Sequence, residues 1–110
     1  MPMVFLYTNL KDEEVPADFE VKTSRCVSEV LNKPKERIHV ILNSDKRMCR
    51  NEDSSPCVLI EIQSLGVFSA DKNPGYTEKF MEFFSTTLSI PKSRVTLVYK
   101  AAEAHMIGIL

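Results

Sequence analysis

One residue stands out for chemistry by its position alone: Pro2, directly after Met1. Initiator methionine is normally removed ahead of a small residue such as proline, and Pro2 would then carry a free secondary amine. An α-amino group has a reference pKa of ~7.7–8.0, and an apolar pocket lowers it by disfavouring the ammonium. A neutral amine near pH 7 is a competent general base for removing a proton from a carbon next to a carbonyl. The apolar run Met3-Val4-Phe5-Leu6-Tyr7-Thr8 begins at once, so a strand would hold that amine at a sheet end. By position alone the signal is weak, and a spent start codon is the better reading of the same two residues without further support.

The usual catalytic constellations are absent from this sequence. It has no glycine-rich phosphate loop and no G-x-S-x-G elbow. Cys26, Cys49 and Cys57 form no C-x-x-C pair, and His39 and His105 lie far apart, so neither a metal nor an organic cofactor is expected. Three cysteines without an export leader favour reduced thiols in the cytoplasm. Polar Asn9 and the charged run Lys11-Asp12-Glu13-Glu14 cut the first apolar run too short for a signal-peptide core.

Any such amine needs a scaffold, and 110 residues suit one compact domain spanning 1–110. With 14 basic against 15 acidic residues, bulk-charge binding to nucleic acid is excluded. No stretch reaches the ~20 apolar residues of a membrane span. Sliding the chain against itself at an offset of 57 lays Leu31-Asn32-Lys33-Pro34-Lys35-Glu36-Arg37-Ile38 over Leu88-Ser89-Ile90-Pro91-Lys92-Ser93-Arg94-Val95. Four of these eight positions are identical, and Ser28 falls on Ser85 in the same register. The chain therefore reads as two pseudo-repeat units, about 1–43 and 58–100.

Each unit is predicted as β-α-β. Met3–Thr8 is a strand apolar on both faces, and Phe19, Cys26, Val27, Val30 and Leu31 mark one face of a helix within 17–31. Asn32-Lys33-Pro34 ends that helix, and Ile38–Leu42 is the second strand. Val58–Leu65 is the third, with Glu61 and Gln63 on its polar face. Tyr76, Phe80, Phe83, Phe84 and Leu88 mark the second helix, and Val95–Tyr99 is the fourth strand. Right-handed crossovers put both helices on one face of a four-stranded mixed sheet, an α/β (α+β) class fold. The opposite face is left uncovered and partly apolar, which predicts a homo-oligomer. Segment 43–56 reads as a polar loop, and the apolar tail 101–110 as a docking segment, plausibly against a neighbouring subunit.

Met1-Pro2-Met3, Thr8-Asn9, Val15-Pro16, Phe19, Lys33-Pro34, Ser55-Pro56-Cys57 and Gln63-Ser64-Leu65-Gly66 together resemble the macrophage migration inhibitory factor family, which includes D-dopachrome tautomerase. The match is nearly colinear from residue 1 to about 100. The resemblance implies a ring-shaped homotrimer with active sites at subunit interfaces, each built on an N-terminal proline base. It implies substrates of the phenylpyruvate or dopachrome type, no cofactor, and leaderless release from the cytoplasm with a possible cell-surface receptor.

Residue by residue, the resemblance assigns Pro2 as the base and Lys33 as the group that binds the substrate carboxylate and stabilises the enolate. Without it, Lys33 reads as a solvated helix-end cation complementing the dipole. Ser64 and Leu65 match the strand lining the pocket, where a backbone group orients substrate; by themselves they read as strand packing. Arg37 stands where the D-dopachrome branch has arginine and would clamp a carboxylate with Lys33. A structural arginine is an equal reading, because Arg94 holds the equivalent position in the other unit. Thr96 and Val98 stand where the cytokine branch has a pocket tyrosine and asparagine, which points to a D-dopachrome-like or weaker site. Cys57-Val58-Leu59-Ile60 replaces that branch's C-x-x-C, so dithiol chemistry is not expected. Two further readings stand beside a tautomerase: a cytokine-like binding protein with vestigial chemistry, and, ranked last, a ferredoxin-like ligand-binding module.

Overall fold

In the computed structural model, which describes residues 1–109, the predicted units are both present. Strands β1 (Met3–Thr8), β2 (His39–Asn43), β3 (Val58–Leu65) and β4 (Val95–Ala102) form one sheet, with helix α1 (Phe19–Leu31) between the first two strands and α2 (Asn73–Leu88) between the last two. The strand order is β2-β1-β3-β4. Each β-α-β unit gives a parallel pair, β1 with β2 and β3 with β4, and the units join through the antiparallel pair β1–β3.

Alternation along the strands separates two environments. Val4, Leu6, Ile60 and Ile62 are fully buried beneath the helices, where they meet Phe19, Val27, Phe80 and Phe84. Burying each of these large side chains contributes about 1.5–3 kcal/mol, so this layer dominates stability. Phe19, at the start of α1, and Phe84 of α2 meet in an edge-type contact at a centroid distance of 6.2 Å, which joins the two helices. On the other face Tyr7 (37% exposed), Ile41 (47%), Leu59 (37%) and Val98 (39%) form the open apolar surface that the strand pattern predicts.

Both helices end the same way. Asn32 and Ser89 take left-handed backbone conformations (φ 53° and 56°) as C-caps. Ser28 Oγ donates to the Lys33 carbonyl at 2.6 Å, and Ser85 Oγ to the Ile90 carbonyl at 2.7 Å. The first helix thus ends at Leu31, where Asn32-Lys33-Pro34 was expected to stop it, and the αL cap at Asn32 closes it ahead of Pro34. A short 3-10 turn follows in each unit, Lys35–Arg37 and Lys92–Arg94.

Three boundaries differ from expectation. β2 is shifted by one residue to His39–Asn43, because Ile38 still belongs to the turn, its N–H donating to the Lys35 carbonyl. α1 begins at Phe19, two residues inside the predicted span. β4 runs three residues past Tyr99, since Lys100, Ala101 and Ala102 continue the ladder opposite Gln63, Ser64 and Leu65.

The 43–56 connection is polar, as predicted, but pinned. Arg94 donates to the carbonyls of Arg50, Asp53, Ser55 and Pro56. Asn9 donates to the Ser54 and Ser55 carbonyls and accepts from the Cys57 N–H. Arg94 is thus a structural arginine, and the Thr8-Asn9 pair serves the fold, with Thr8 Oγ1 donating to the Cys57 carbonyl.

Candidate active site

The start of β1 lies at the end of the sheet where β3 finishes. Met3 pairs with Gln63 across the antiparallel ladder and with His39 across the parallel one. The strand is thereby fixed on both sides, and the two residues before it have little freedom. Pro2 is fully buried, and its carbonyl accepts the His39 N–H at 3.1 Å. The α-ammonium of Met1 donates to the Arg37 carbonyl at 2.8 Å. Its pKa falls below the ordinary value, first by burial and then by the neighbouring charges of Arg37 and Lys33. The chain start is thus a place where an amine is pushed towards its neutral form.

The αL cap at Asn32 turns the chain so that Lys33 leaves α1 towards this same end. Its Nζ donates to the Leu65 carbonyl at 3.0 Å. Leu65 closes β3, and Gly66 follows at φ 64°, a left-handed conformation that costs glycine little and turns the chain away. Lys33 and Leu65, far apart in sequence, are therefore in contact. Ser64 differs from its neighbour: its side chain lies on the helix-facing side of β3, with a buried Oγ lacking a hydrogen-bond partner. Whatever Ser64 offers to the sheet end comes from its backbone.

A cavity of about 640 Å³ opens beside the chain start, lined on one side by Met1, Met3, Glu36, Arg37 and His39. Met106, Ile107, Gly108 and Ile109 supply the other side. The tail leaves β4 at the far edge of the sheet yet lines a cavity with residues of β2 and its turn, so it spans the sheet end within one chain. Among the expected residues, Pro2, Lys33, Arg37 and Leu65 converge on this end. Sequence reasoning passed over Met3, Glu36, His39 and the tail as wall residues. Only the apolar composition of the tail hinted at its part; His39 joins through strand order, which no local pattern encodes.

A second cavity, about 720 Å³, is formed by the pinned loop with Asn9, Lys46, Arg47, Met48, Cys49 and Ser54. It shares no lining residue with the first, and Asn9 there is already engaged by the loop backbone. Cys26 is remote from both, and burial together with the Glu29 charge pushes its thiol pKa up to about 11, so it is chemically quiet.

Comparison with known proteins agrees with this architecture throughout its length. A family model described as macrophage migration inhibitory factor matches residues 1–110. The chain is 35% identical over 108 residues to the Caenorhabditis elegans MIF-like protein mif-2, covering 98% of this chain and 90% of that protein. It is 34% identical over 109 residues to D-dopachrome decarboxylase-B of Xenopus laevis, covering 98% and 92%. Among solved structures, the macrophage migration inhibitory factor of Trichinella spiralis superposes with a TM-score of 0.93 at 27% identity, over 97% of this chain and 95% of that one. With the fold, the motifs and these relatives in agreement, the chain belongs to the macrophage migration inhibitory factor family.

Proposed function

We propose that this protein is a keto–enol tautomerase whose base is the amine of Pro2 after loss of Met1. The observation that carries the reading is the environment of the chain start: the Met1 amine lies at a buried sheet end, its ammonium disfavoured by burial and by Arg37 and Lys33, and the Pro2 amine would meet those surroundings once Met1 is lost. The D-dopachrome decarboxylase relatives support the same class of chemistry. Substrates are phenylpyruvate-type or dopachrome-type acids.

In the keto-to-enol direction the Pro2 lone pair takes a proton from the carbon beside the substrate carbonyl. The released C–H pair forms the new C=C bond, and the carbonyl π pair moves onto oxygen. Lys33, with Arg37, binds the carboxylate and stabilises the enolate. Lys33 leaves the Leu65 carbonyl to do so, exchanging a bond worth about 1 kcal/mol for a charge-assisted one. The prolinium then returns the proton to oxygen.

The working assembly is a homotrimer, with Ile41, Leu59, Tyr7 and Val98 on the open face covered by copies of the same chain. We assign the protein to the cytoplasm, with leaderless release. A second reading is a cytokine-like, receptor-binding protein with weak or vestigial turnover; Thr96 and Val98, on the open-face side of β4, favour it because neither supplies an aromatic hydroxyl or an amide.

Turnover of enol-phenylpyruvate by wild type, Pro2→Gly and a variant with Ala inserted before Pro2 tests the assignment, with intact mass reporting Met1. The expected loss in either variant is about 100-fold or more. A wild type no faster than the variants would leave the binding-protein reading in its place, and light scattering from a well-behaved monomer would remove the trimer.

A further inference from the structure

Ser28 and Ser85 fall on one another in the repeat, and each closes the end of its helix. What they close differs. The Ser28 carbonyl accepts from the Asn32 and Lys33 N–H groups, the latter at 3.1 Å, and its hydroxyl donates to the Lys33 carbonyl. One residue thus holds both peptide groups that flank the Lys33 α-carbon. Pro34 has no N–H, so that carbonyl is the one hydrogen-bonding handle on the second group. In the other unit Ser85 holds Ile90 ahead of Pro91 by the same pair of bonds, and Ile90 is a buried side chain with no polar atom.

A lysine ammonium stands on a flexible four-carbon stem, so any freedom in its backbone widens the space it sweeps. Fixing both flanking peptides fixes the direction in which the stem leaves the chain. From there the Lys33 Nζ reaches the Leu65 carbonyl at 3.0 Å, on another element of the fold. Without the hydroxyl only the first peptide stays tied to the helix, and the Lys33–Pro34 peptide turns more freely. A shift of about 1 Å at a binding group, caused far from the chemistry, is enough to cost about 100-fold in rate. The clamp is made by α1, its cap and β3 of one chain, so it does not depend on which subunits complete the pocket.

We propose that Ser28 is a positioning residue: its hydroxyl holds the Lys33 ammonium at the end of β3, in place for a substrate carboxylate. The inference rests on the carboxylate-binding role that the tautomerase reading gives to Lys33, and it has binding and labelling readouts of its own.

The test compares Ser28→Ala, Ser28→Thr and Ser85→Ala with wild type, all full-length with Met1 loss verified by mass. Alanine suits a helix, so both alanine variants should fold, with matching losses in denaturant unfolding. Turnover of enol-phenylpyruvate is measured with Pro2→Gly as its control, and phenylpyruvate affinity by NMR titration. Acylation of Lys33 by acetic anhydride is read by peptide mass against exposed Lys79. Ser28→Ala should lower kcat/KM and affinity by about tenfold, mainly through KM, since a carboxylate is bound alike before and during proton transfer. Its Lys33 should acylate about fivefold faster, the worth of a lost hydrogen bond. Ser85→Ala should leave affinity and Lys33 labelling at wild-type values. Ser28→Thr, which keeps the donor, should stay within about twofold of wild type. Ser28→Ala matching Ser85→Ala in affinity or in labelling overturns the inference, as does a Ser28→Thr as impaired as Ser28→Ala. Pro2-dependent turnover by wild type in that case leaves the tautomerase reading standing. The expected contrast in affinity and labelling without Pro2-dependent turnover upholds the clamp and removes the tautomerase. No phenylpyruvate binding by wild type overturns both.

Discussion

The two β-α-β units end their helices with the same device and then diverge. Ser28 and Ser85 close equivalent carbonyls, Asn32 and Ser89 adopt equivalent left-handed caps, and a 3-10 turn ends at Arg37 in one unit and Arg94 in the other. After the first cap comes Lys33, whose ammonium reaches the sheet end; after the second comes Ile90, which is buried. Arg94 donates to four loop carbonyls, whereas among the described residues the Arg37 guanidinium has no hydrogen bond and lines the cavity. One scaffold thus supports a cationic pocket at one end and a closed, packed joint at the other. The difference rests on a few side chains over a common backbone.

The sharpest way to break this comparison is in the core. Phe80 falls on Thr23 at the offset of 57, and both are fully buried, so α2 fills with a ring what α1 fills with a small side chain. Phe80→Thr, copying the first unit into the second, removes a ring packed against Phe84 and Tyr99 and leaves a cavity. Denaturant unfolding should show a loss of about 3–5 kcal/mol. A loss below about 1 kcal/mol would mean the units are interchangeable at this layer.

Next in size is the exchange at the caps. Lys33→Ile gives the first unit the residue of the second and removes one of the cations acting on the amine. If Lys33 binds the carboxylate, kcat/KM falls by about 10–100-fold. The pH profile gives an independent reading. Burial, Arg37 and Lys33 all lower the pKa of the Met1 amine at the chain start; a Pro2 amine that meets the same surroundings after Met1 is lost would be active in its neutral form, so kcat/KM would rise with pH through its pKa. Without Lys33 the pKa moves back up, so the rising limb shifts to higher pH. An unshifted limb with unchanged turnover would make Lys33 a helix-end cation and nothing more.

How much of this was legible in the sequence follows from range. The repeat, the four strands, both helical faces and the open apolar surface are local patterns of period two or 3.6, and β3 fell on its predicted residues. Pro2 stood out by its place after Met1, and Lys33 and Leu65 by their motifs; the structure buries Pro2 at the sheet end and sets Lys33 Nζ on the Leu65 carbonyl. The cavity walls were not, because they depend on strand order. His39 joins the site by parallel pairing with Met3, and the tail by crossing to the opposite edge. The side Ser64 faces follows from the alternation of β3, and that alternation turns it towards the helices.

A smaller effect is expected at Arg94. Arg94→Ala strips the 50–56 segment of its four-carbonyl anchor, while Asn9 continues to hold Ser54, Ser55 and Cys57. The partially solvated carbonyls regain water, so stability should fall by about 1–2 kcal/mol. Hydrogen exchange should speed up in that segment and not at the Arg37 turn. Arg94→Lys should recover little, since an ammonium lacks the planar fork that spans several carbonyls. If Arg37→Ala cost as much stability as Arg94→Ala, the division between a binding end and a structural end would collapse.

The smallest effect has the opposite sign. Thr23 Oγ1 is buried within the α1 layer and has no hydrogen-bond partner. An unpaired hydroxyl in an apolar layer has lost its water without replacement, which costs about 1–3 kcal/mol. Valine keeps the β-branched shape and removes the hydroxyl, leaving no cavity and introducing no strain. Thr23→Val should therefore raise the unfolding free energy by about 0.5–1 kcal/mol at an unchanged denaturant slope. The equivalent position in α2 is already apolar, so the substitution makes the two cores more alike, and turnover should be unaffected because Thr23 lies on the side of the sheet away from the cavity. A loss of stability would mean that the hydroxyl has a partner in solution, and that α1 tolerates polarity in its core where α2 does not.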